Sequence, residues 1–377
     1  MGITVLMNAG PWLPVPPAGY GGIETVVATL VPELRSLGLR VVLASVATSS
    51  LEADDHLAAL SEPQLQHVAR PYNQVSGIAH AHMQAVVRYL QTHPEVDLVH
   101  DHLEVVGPSM LAAMSDQAPP ALQTLHWDLA KHPEFYSTFD GRGRIRFAAV
   151  SRSQVERAPA NLQRQIADVI PLAVPPPLPV TAEPGDHVVV LARITRDKGQ
   201  DVAVRACLQA GVPVVLAGPV AGIHDPAELR GRLTHDDGLC SHADVRFFLD
   251  EVAPHLDGER ARWVGGVDGE EKERLLQSAR ALLAPIRWAE PGATAVVEAL
   301  VRGIPVVASP RGVHPSLVDH GRTGFLAATE PELVEALTRL GELDPRASAG
   351  LREDWEPRRM AERYVDLYEE ILEGASA

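Results

Sequence analysis

Residues Ala284–Pro310, APIRWAEPGATAVVEALVRGIPVVASP, read as strand, loop, helix, strand. Leu282–Ile286 is a short apolar run suited to a buried parallel strand. Glu290-Pro291-Gly292 interrupts it, and Thr294 is expected to cap a helix reaching about Arg302. Gly303 supplies a left-handed stop, and Pro305 opens the strand Val306–Ser309. Two carboxylates punctuate the unit: Glu290 in the loop and Glu298 about one turn inside the helix. Eight residues at helical rise place them on the order of 10 Å apart, roughly the span from a sugar ring to a ribose across a diphosphate. Between them lies a helix N-terminus, whose free N–H groups favour an anion. A carboxylate, an anion pocket and a second carboxylate suit a sugar nucleotide.

Working back from this unit, Asp186–Ala192 reads as a strand ended by Arg193, and Lys198-Gly199 opens the helix after it. A guanidinium and an ammonium five residues apart at a strand-to-helix turn form a clamp for a diphosphate. Val212–Ala217 is a further strand, turned by Gly218-Pro219, and Val245–Phe248 (VRFF) is a strand-like apolar run. Arg262–Val264 leads into Gly265-Gly266-Val267, and Asp268–Ala279 is an amphipathic helix with Leu275 and Leu276 turned inward. The glycines of Gly312–Gly324 are expected to close the pocket. Pro171–Pro184 holds six prolines in fourteen positions, the composition of a stiff linker.

The first half repeats the alternation. Gly2–Ala9 is a buried strand, followed by a Pro/Gly-rich loop ending in Gly19-Tyr20-Gly21-Gly22 and a helix over Ile23–Leu37, which Pro32 should bend or split near Thr29. Glycines at such a turn let backbone N–H groups close on a phosphate or sugar. Arg40–Val46 is a strand and the residues to about Pro63 a polar loop; Leu65–Ala69 reads as a short strand and Ile78–Gln91 as a helix. Val96–His102 places His100 and His102 on one strand face, but no partner cluster completes a metal site, so a polar strand end is expected. Ala121–His126 carries His126 to a strand's C-terminal end, where ligands of open α/β sheets bind. Phe147–Ser151, a helix over Arg152–Leu162 and Asp168–Leu172 follow. The closing segment Arg358–Leu372 has Met360, Tyr364, Leu367, Tyr368 and Ile371 at helical spacing.

Four motifs in this order resemble glycosyltransferase family 4: the glycine loop before the first helix, Thr124-Leu125-His126, Arg193 with Lys198-Gly199, and Glu290 with Glu298 after seven intervening residues. The resemblance spans nearly the whole chain and is densest in its second half. It implies an α/β protein of the GT-B fold, two Rossmann-like domains with parallel sheets facing across a cleft that holds the site. Residues 1–172 then form the acceptor-side domain, joined by a C-terminal helix over 357–377, and 173–356 the donor-side domain. It further implies retaining transfer of a sugar from a nucleoside diphosphate to an acceptor. In that assignment His126, Arg193, Lys198 and Glu290 are the catalytic residues. Donor binding falls to Gly21, Gly22, Arg193, Lys198, Gly218, Val267, Glu290, Gly292, Ala293, Thr294 and Glu298. Gly292-Ala293-Thr294 departs from the commoner Phe-Gly-Leu after the first Glu-Pro, so Ala293 stands where a glycine backbone should approach the donor. Its N–H stays available if its φ is negative.

The chain is long enough for two cores, with 377 residues. A formal charge of −16 argues against nucleic acid and, less strongly, against anionic lipid. No apolar run reaches the length of a membrane span and the N-terminus lacks a signal pattern, so a cytoplasmic protein is expected. The two cysteines, Cys207 and Cys240, make no disulfide framework. No Asp-x-Asp metal motif occurs, and no metal or other cofactor is expected. The expected donor is a UDP- or dTDP-sugar and the acceptor a small polar molecule, such as a natural product or antibiotic intermediate. The competing readings are a nucleotide-sugar epimerase on the same fold and a non-catalytic sugar-nucleotide binder.

Overall fold

A computed structural model describes residues 2–68, 72–235, 238–344, 347 and 352–376. Met1, Ala69 and Ala377, at limits of the expected elements and domains, lie outside them. The chain forms two compact units: residues 1–17, 21–174 and 355–377, and residues 18–20 with 175–354.

The first unit is built on a seven-stranded parallel sheet: β1 (Thr4–Asn8), β2 (Arg40–Val46), β3 (Asp55–Leu60), β4 (Leu98–Asp101), β5 (Ala121–Leu125), β6 (Ile145–Ala149) and β7 (Ile166–Val169). Their order is β3-β2-β1-β4-β5-β6-β7. The central strands read as unbroken apolar runs because helices cover both faces. On one face lie the helix Gly22–Ser36 and the terminal helix Pro357–Ser376, which buries Met360, Tyr364, Leu367, Tyr368 and Ile371 in the same core as Val5, Val41 and Leu98. Met83, Val86 and Leu90 of the helix Tyr72–Thr92 fill the other face.

The second unit holds a six-stranded parallel sheet: β8 (Val188–Leu191), β9 (Val214–Ala217), β10 (Ala261–Gly265), β11 (Ala281–Ala284), β12 (Val306–Ala308) and β13 (Gly324–Leu326). Their order is β10-β9-β8-β11-β12-β13. In each sheet the order reverses once, between β1 and β4 and between β8 and β11. In open α/β sheets a ligand crevice lies at that reversal, beyond the strands' C-terminal ends.

Several local expectations are corrected. Val245–Phe248 is helical: Ala243–Phe247 is an α-helix running on as a wider turn over Phe248–Val252. A strand would point Phe247 and Phe248 to opposite faces, whereas both enter the one core of this unit. Leu65–His67 is a 3-10 turn rather than a strand. The polar loop after Val46 contains β3, an edge strand whose exposed residues hide its pattern. Pro32 does not split its helix, which runs unbroken from Gly22 to Ser36. The helix over Arg152–Leu162 is two, Arg152–Arg157 and Ala160–Gln163, because Pro159 holds Ala158 extended.

Candidate active site

At the reversal of the second sheet, β8 delivers Arg193 and β11 delivers the loop carrying Glu290. Arg193 follows its strand by two residues, with its carbonyl held by Gln200 Nε2 at 2.7 Å. Its guanidinium lies 5.1 Å from the centre of the Tyr20 ring. Its Nε is buried and makes no hydrogen bond among the described residues. The chain then makes a 3-10 turn, Arg196–Lys198, stopped by Gly199 at φ 73°. A Cβ on Gly199 would stand 2.2 Å from the Pro285 carbonyl oxygen, so glycine is required where the two loops meet. Arg287 stitches them together. It donates to the Arg196 carbonyl at 2.7 Å and bridges both Asp201 oxygens at 2.8 and 2.6 Å, and its N–H reaches the Asp197 carbonyl at 2.8 Å.

That stitching sets Lys198 Nζ 2.5 Å from Glu290 Oε2, with the Trp288 ring 5.0 Å away. The Glu290 backbone is fixed from behind. Val313 donates to its carbonyl at 2.9 Å, and Gly312 (φ 58°) packs so closely that a Cβ would fall 2.2 Å from the same oxygen.

Past Glu290, the chain enters the helix Thr294–Val301 through Ala293 at φ 52° and ψ 49°. One condition is not met here and one expectation fails. Ala293 is left-handed rather than negative in φ, and Thr294 is the first helical residue rather than a side-chain cap. The left-handed residue turns the chain sharply into the helix. The first N–H groups of the helix have no acceptors within it, as at any helix start. Gly292 precedes this turn and is half-buried.

Glu298 lies in the second turn of this helix and is buried, at 6% exposure. Lys272, from the helix Gly269–Ser278, stands 2.9 Å from its Oε2. The contact has ion-pair distance but not hydrogen-bond geometry, and Oε2 makes no hydrogen bond among the described residues. Behind it Arg302 and Glu273, 3% and 1% exposed, form a buried pair at 2.7 Å. Arg302 also donates to the Glu298 carbonyl at 2.9 Å. Lys272 carries no short-range sequence signal, since its partner is on another helix.

Gly218 and Val267 complete this side. Gly218 (φ 149°) comes so near β8 that a Cβ would lie 2.0 Å from the Ala192 oxygen. Its N–H donates to the Gly265 carbonyl at 2.6 Å. Val267 is buried just after β10, where Gly265 and Gly266 pack on His224.

In the first unit, Gly21 accepts the N–H of Thr25 at 2.8 Å and so begins the first helix. A Cβ on Gly21 would fall 2.6 Å from Pro17 Cβ, whereas one on Gly22 would meet nothing within 4 Å. Glu24, in the first turn, is buried, and burial raises its carboxyl to about 7. His126 follows β5. Its Nε2 meets His102 Nδ1 at 2.8 Å, and burial pushes its imidazole down to about 3. His100 and His102 are committed to hydrogen bonds at both ring nitrogens: Tyr368 and Thr124 for His100, His126 and Met7 sulfur for His102. Glu104, missed in the sequence, anchors the His126 turn. It accepts the N–H groups of His126 and Trp127 at 2.6 Å each and the Tyr136 hydroxyl at 3.1 Å.

Family models match both parts of the chain: "Glycosyltransferase Family 4" over residues 20–162 and "Glycosyl transferases group 1" over 180–357. The chain is a GT-B glycosyltransferase. A solved structure of AviGT4, a glycosyltransferase involved in avilamycin A biosynthesis, matches it at 25% identity and TM-score 0.64, covering 99% of this chain and 98% of that one. Sucrose-phosphate synthase from Thermosynechococcus elongatus matches at 19% identity and TM-score 0.67 over the full length of both chains. HepE from Anabaena, in complex with UDP and glucose, matches at 15% identity and TM-score 0.66, covering 98% of this chain and all of that one. The last two speak to fold alone. No curated protein sequence gives a significant match. No helix among the described residues is long and apolar enough to cross a membrane.

Proposed function

We propose that this glycosyltransferase moves a sugar, with retention at the anomeric carbon, from a nucleoside diphosphate to a small polar acceptor. The observation that carries the reading is the cluster of Arg193, Lys198 and Glu290 where β8 and β11 diverge. Two cations neutralise a diphosphate as the anomeric bond to its oxygen breaks, which activates the leaving group without a metal. The acceptor oxygen forms the new bond to the anomeric carbon, and its proton ends on the departing phosphate. Glu290 holds hydroxyls of the transferred sugar and Glu298 those of the ribose. The N–H groups of Gly292 and Thr294, on either side of the left-handed Ala293, serve the donor's anionic part. Gly218 and the backbone at Val267 line the nucleoside. His126, Gly21 and Gly22 keep the sugar-contacting role given by the family resemblance. A natural-product or antibiotic-type acceptor is favoured by the 25% identity with AviGT4 over nearly the whole chain.

The test is incubation with UDP- and dTDP-sugars, with and without acceptors and a chelator, reading product and anomer by NMR. The expected result is acceptor-dependent transfer that survives EDTA and keeps the donor's anomeric configuration. An inverted product overturns retention, and loss under EDTA restored by Mg²⁺ or Mn²⁺ overturns metal independence. Donor conversion without acceptor indicates an epimerase, and binding without turnover a non-catalytic binder.

A further inference from the structure

Three strands that lie side by side in the first sheet, β1, β4 and β5, bring Met7, His102 and His126 into one line near their C-terminal ends. His102 directly follows β4, and its N–H donates to the Asn8 carbonyl at 2.9 Å. His126 directly follows β5, and Glu104 Oε1 accepts its N–H at 2.6 Å. With both backbones fixed, His126 Nε2 meets His102 Nδ1 at 2.8 Å. The ring centres are 5.1 Å apart, close to the largest separation such a contact allows. The bond therefore points straight out of both rings, as an N–H···N bond requires.

The far end of the line decides which ring gives the proton. Burial keeps both imidazoles neutral. A neutral imidazole has one N–H and one bare nitrogen. His102 Nε2 lies 3.2 Å from Met7 Sδ. A thioether sulfur only accepts, so Nε2 carries the His102 proton and Nδ1 is bare. The opposite tautomer would set a nitrogen lone pair against those of the sulfur. A bare His102 Nδ1 takes its hydrogen bond from His126, whose proton is thus on Nε2. That leaves His126 Nδ1 as an acceptor. It makes no hydrogen bond among the described residues, and the residue is only half-buried.

We propose that Met7 and His102 are positioning residues that hold His126 with a bare Nδ1, so that it selects a ligand hydroxyl which donates its proton. The inference rests on the reading of His126 as a sugar-contacting residue. The hydrogen bond made by one ring nitrogen sets what the other can do. Carbonyl, phosphate and ether oxygens only accept, so they gain nothing at this nitrogen. A His126 held in this way also has no proton to give a departing phosphate.

Proton–nitrogen correlation NMR of the imidazoles in the full chain reads the tautomers. The two rings are assigned by the signals lost in His102→Phe and His126→Gln. The wild type should carry both protons on Nε2, and a proton on Nδ1 of either ring overturns the proposal. In His102→Phe the acceptor is gone, and His126 should show a substantial share of the Nδ1–H form. A folded His102→Phe whose His126 stays wholly Nε2–H overturns the role given to His102. If that variant does not fold, the wild-type spectrum and ligand binding decide. Competition binding compares UDP-glucose with its deoxy and deoxyfluoro analogues, position by position, in the wild type and His126→Ala. At one position both analogues should bind about fivefold more weakly than the parent, since neither hydrogen nor fluorine donates. His126→Ala should erase that loss. A fluoro analogue that binds there as well as the hydroxyl parent overturns the proposal. If His126→Ala erases no loss, the sugar-contacting reading falls and hydroxyl selection with it, while the spectrum still decides the tautomer.

Discussion

Lys198 Nζ lies 2.5 Å from Glu290 Oε2, so the cation assigned to the diphosphate and the carboxylate assigned to the sugar hold each other before any donor arrives. In the proposed reaction a diphosphate would compete with Glu290 for Lys198, and the carboxylate it releases would become available to the sugar hydroxyls. Glu290→Gln removes the competitor. Affinity for the nucleoside diphosphate should rise about fivefold, or ~1 kcal/mol for a partly exposed pair. Transfer should fall by about 10²-fold as the sugar loses its orientation. Calorimetry and initial rates on one preparation check both. Weaker diphosphate binding would show that Lys198 depends on Glu290 for its position.

Ala293 sits at φ 52°, a conformation that costs an L-residue roughly 1–2 kcal/mol. Replacing it by glycine relieves that strain but loosens the unfolded chain, by about 0.5–1 kcal/mol. Ala293→Gly should therefore leave stability level or raised by up to ~1.5 kcal/mol, whereas Ala293→Val should lower it by more than ~2 kcal/mol because a branched side chain tolerates this region least. Urea denaturation measures both.

The Arg302–Glu273 pair is almost fully enclosed, and breaking one side should be costly. Arg302→Met leaves the Glu273 carboxylate, 1% exposed, without its cation, a loss of about 3–5 kcal/mol. Arg302→Met with Glu273→Leu should recover most of it, since two apolar residues leave no buried charge. A double variant as unstable as the single one would mean that packing, not charge, sets the cost.

The first unit carries buried groups whose titrations oppose each other. Burial drives His82 down to about 4, His100 and His126 to about 3, and His102 well below its usual value. Neutral when folded, they contribute stability that is present above the unfolded histidine value near 6.5 and lost as pH falls toward their folded values. Burial raises Asp101 to about 8 and Glu24 and Glu104 to about 7. Their contribution is present below the ordinary carboxyl range and lost as pH rises through 7 to 8. Stability should fall steeply below about pH 4.5, change little from there to about 6.5, and decline again toward pH 8. Chemical denaturation across this range, followed by a probe in the first unit, checks it. Asp101→Asn should flatten the alkaline limb, because it removes a proton that leaves only in that window.

The alternation of apolar runs and amphipathic helices made the α/β class legible, because buried parallel strands and their covering helices differ in period and length along a single stretch of chain. The order of the motifs made the glycosyltransferase assignment legible as well. Arg193, Lys198, Glu290 and Glu298 lie beside strand ends or within a helix that local sequence already announces. Gly303 shows how direct such a signal is, since its φ of 76° ends the helix where glycine allows it. Local pattern was misleading where burial outweighed it. The VRFF run has strand-like composition, but one core receives both phenylalanines and only a helix presents them together.

Pairing between distant elements was beyond the sequence. Nothing local joins Lys272 to Glu298, Lys198 to Glu290, Arg302 to Glu273, or Glu104 to the backbone at His126. Each is a contact between side chains or chain segments that approach only after the sheet has set the spacing of its helices and loops. The left-handed Ala293 belongs with them, because alanine by itself prefers negative φ and is driven from it by the path between Glu290 and the helix. Periodicity and turn chemistry act over short stretches of chain and leave their mark in composition, which is why the sequence determined the class of fold and named the residues of the candidate site. Charge pairing and enforced backbone strain act through space, so the tertiary structure decided which charges are free to meet a ligand.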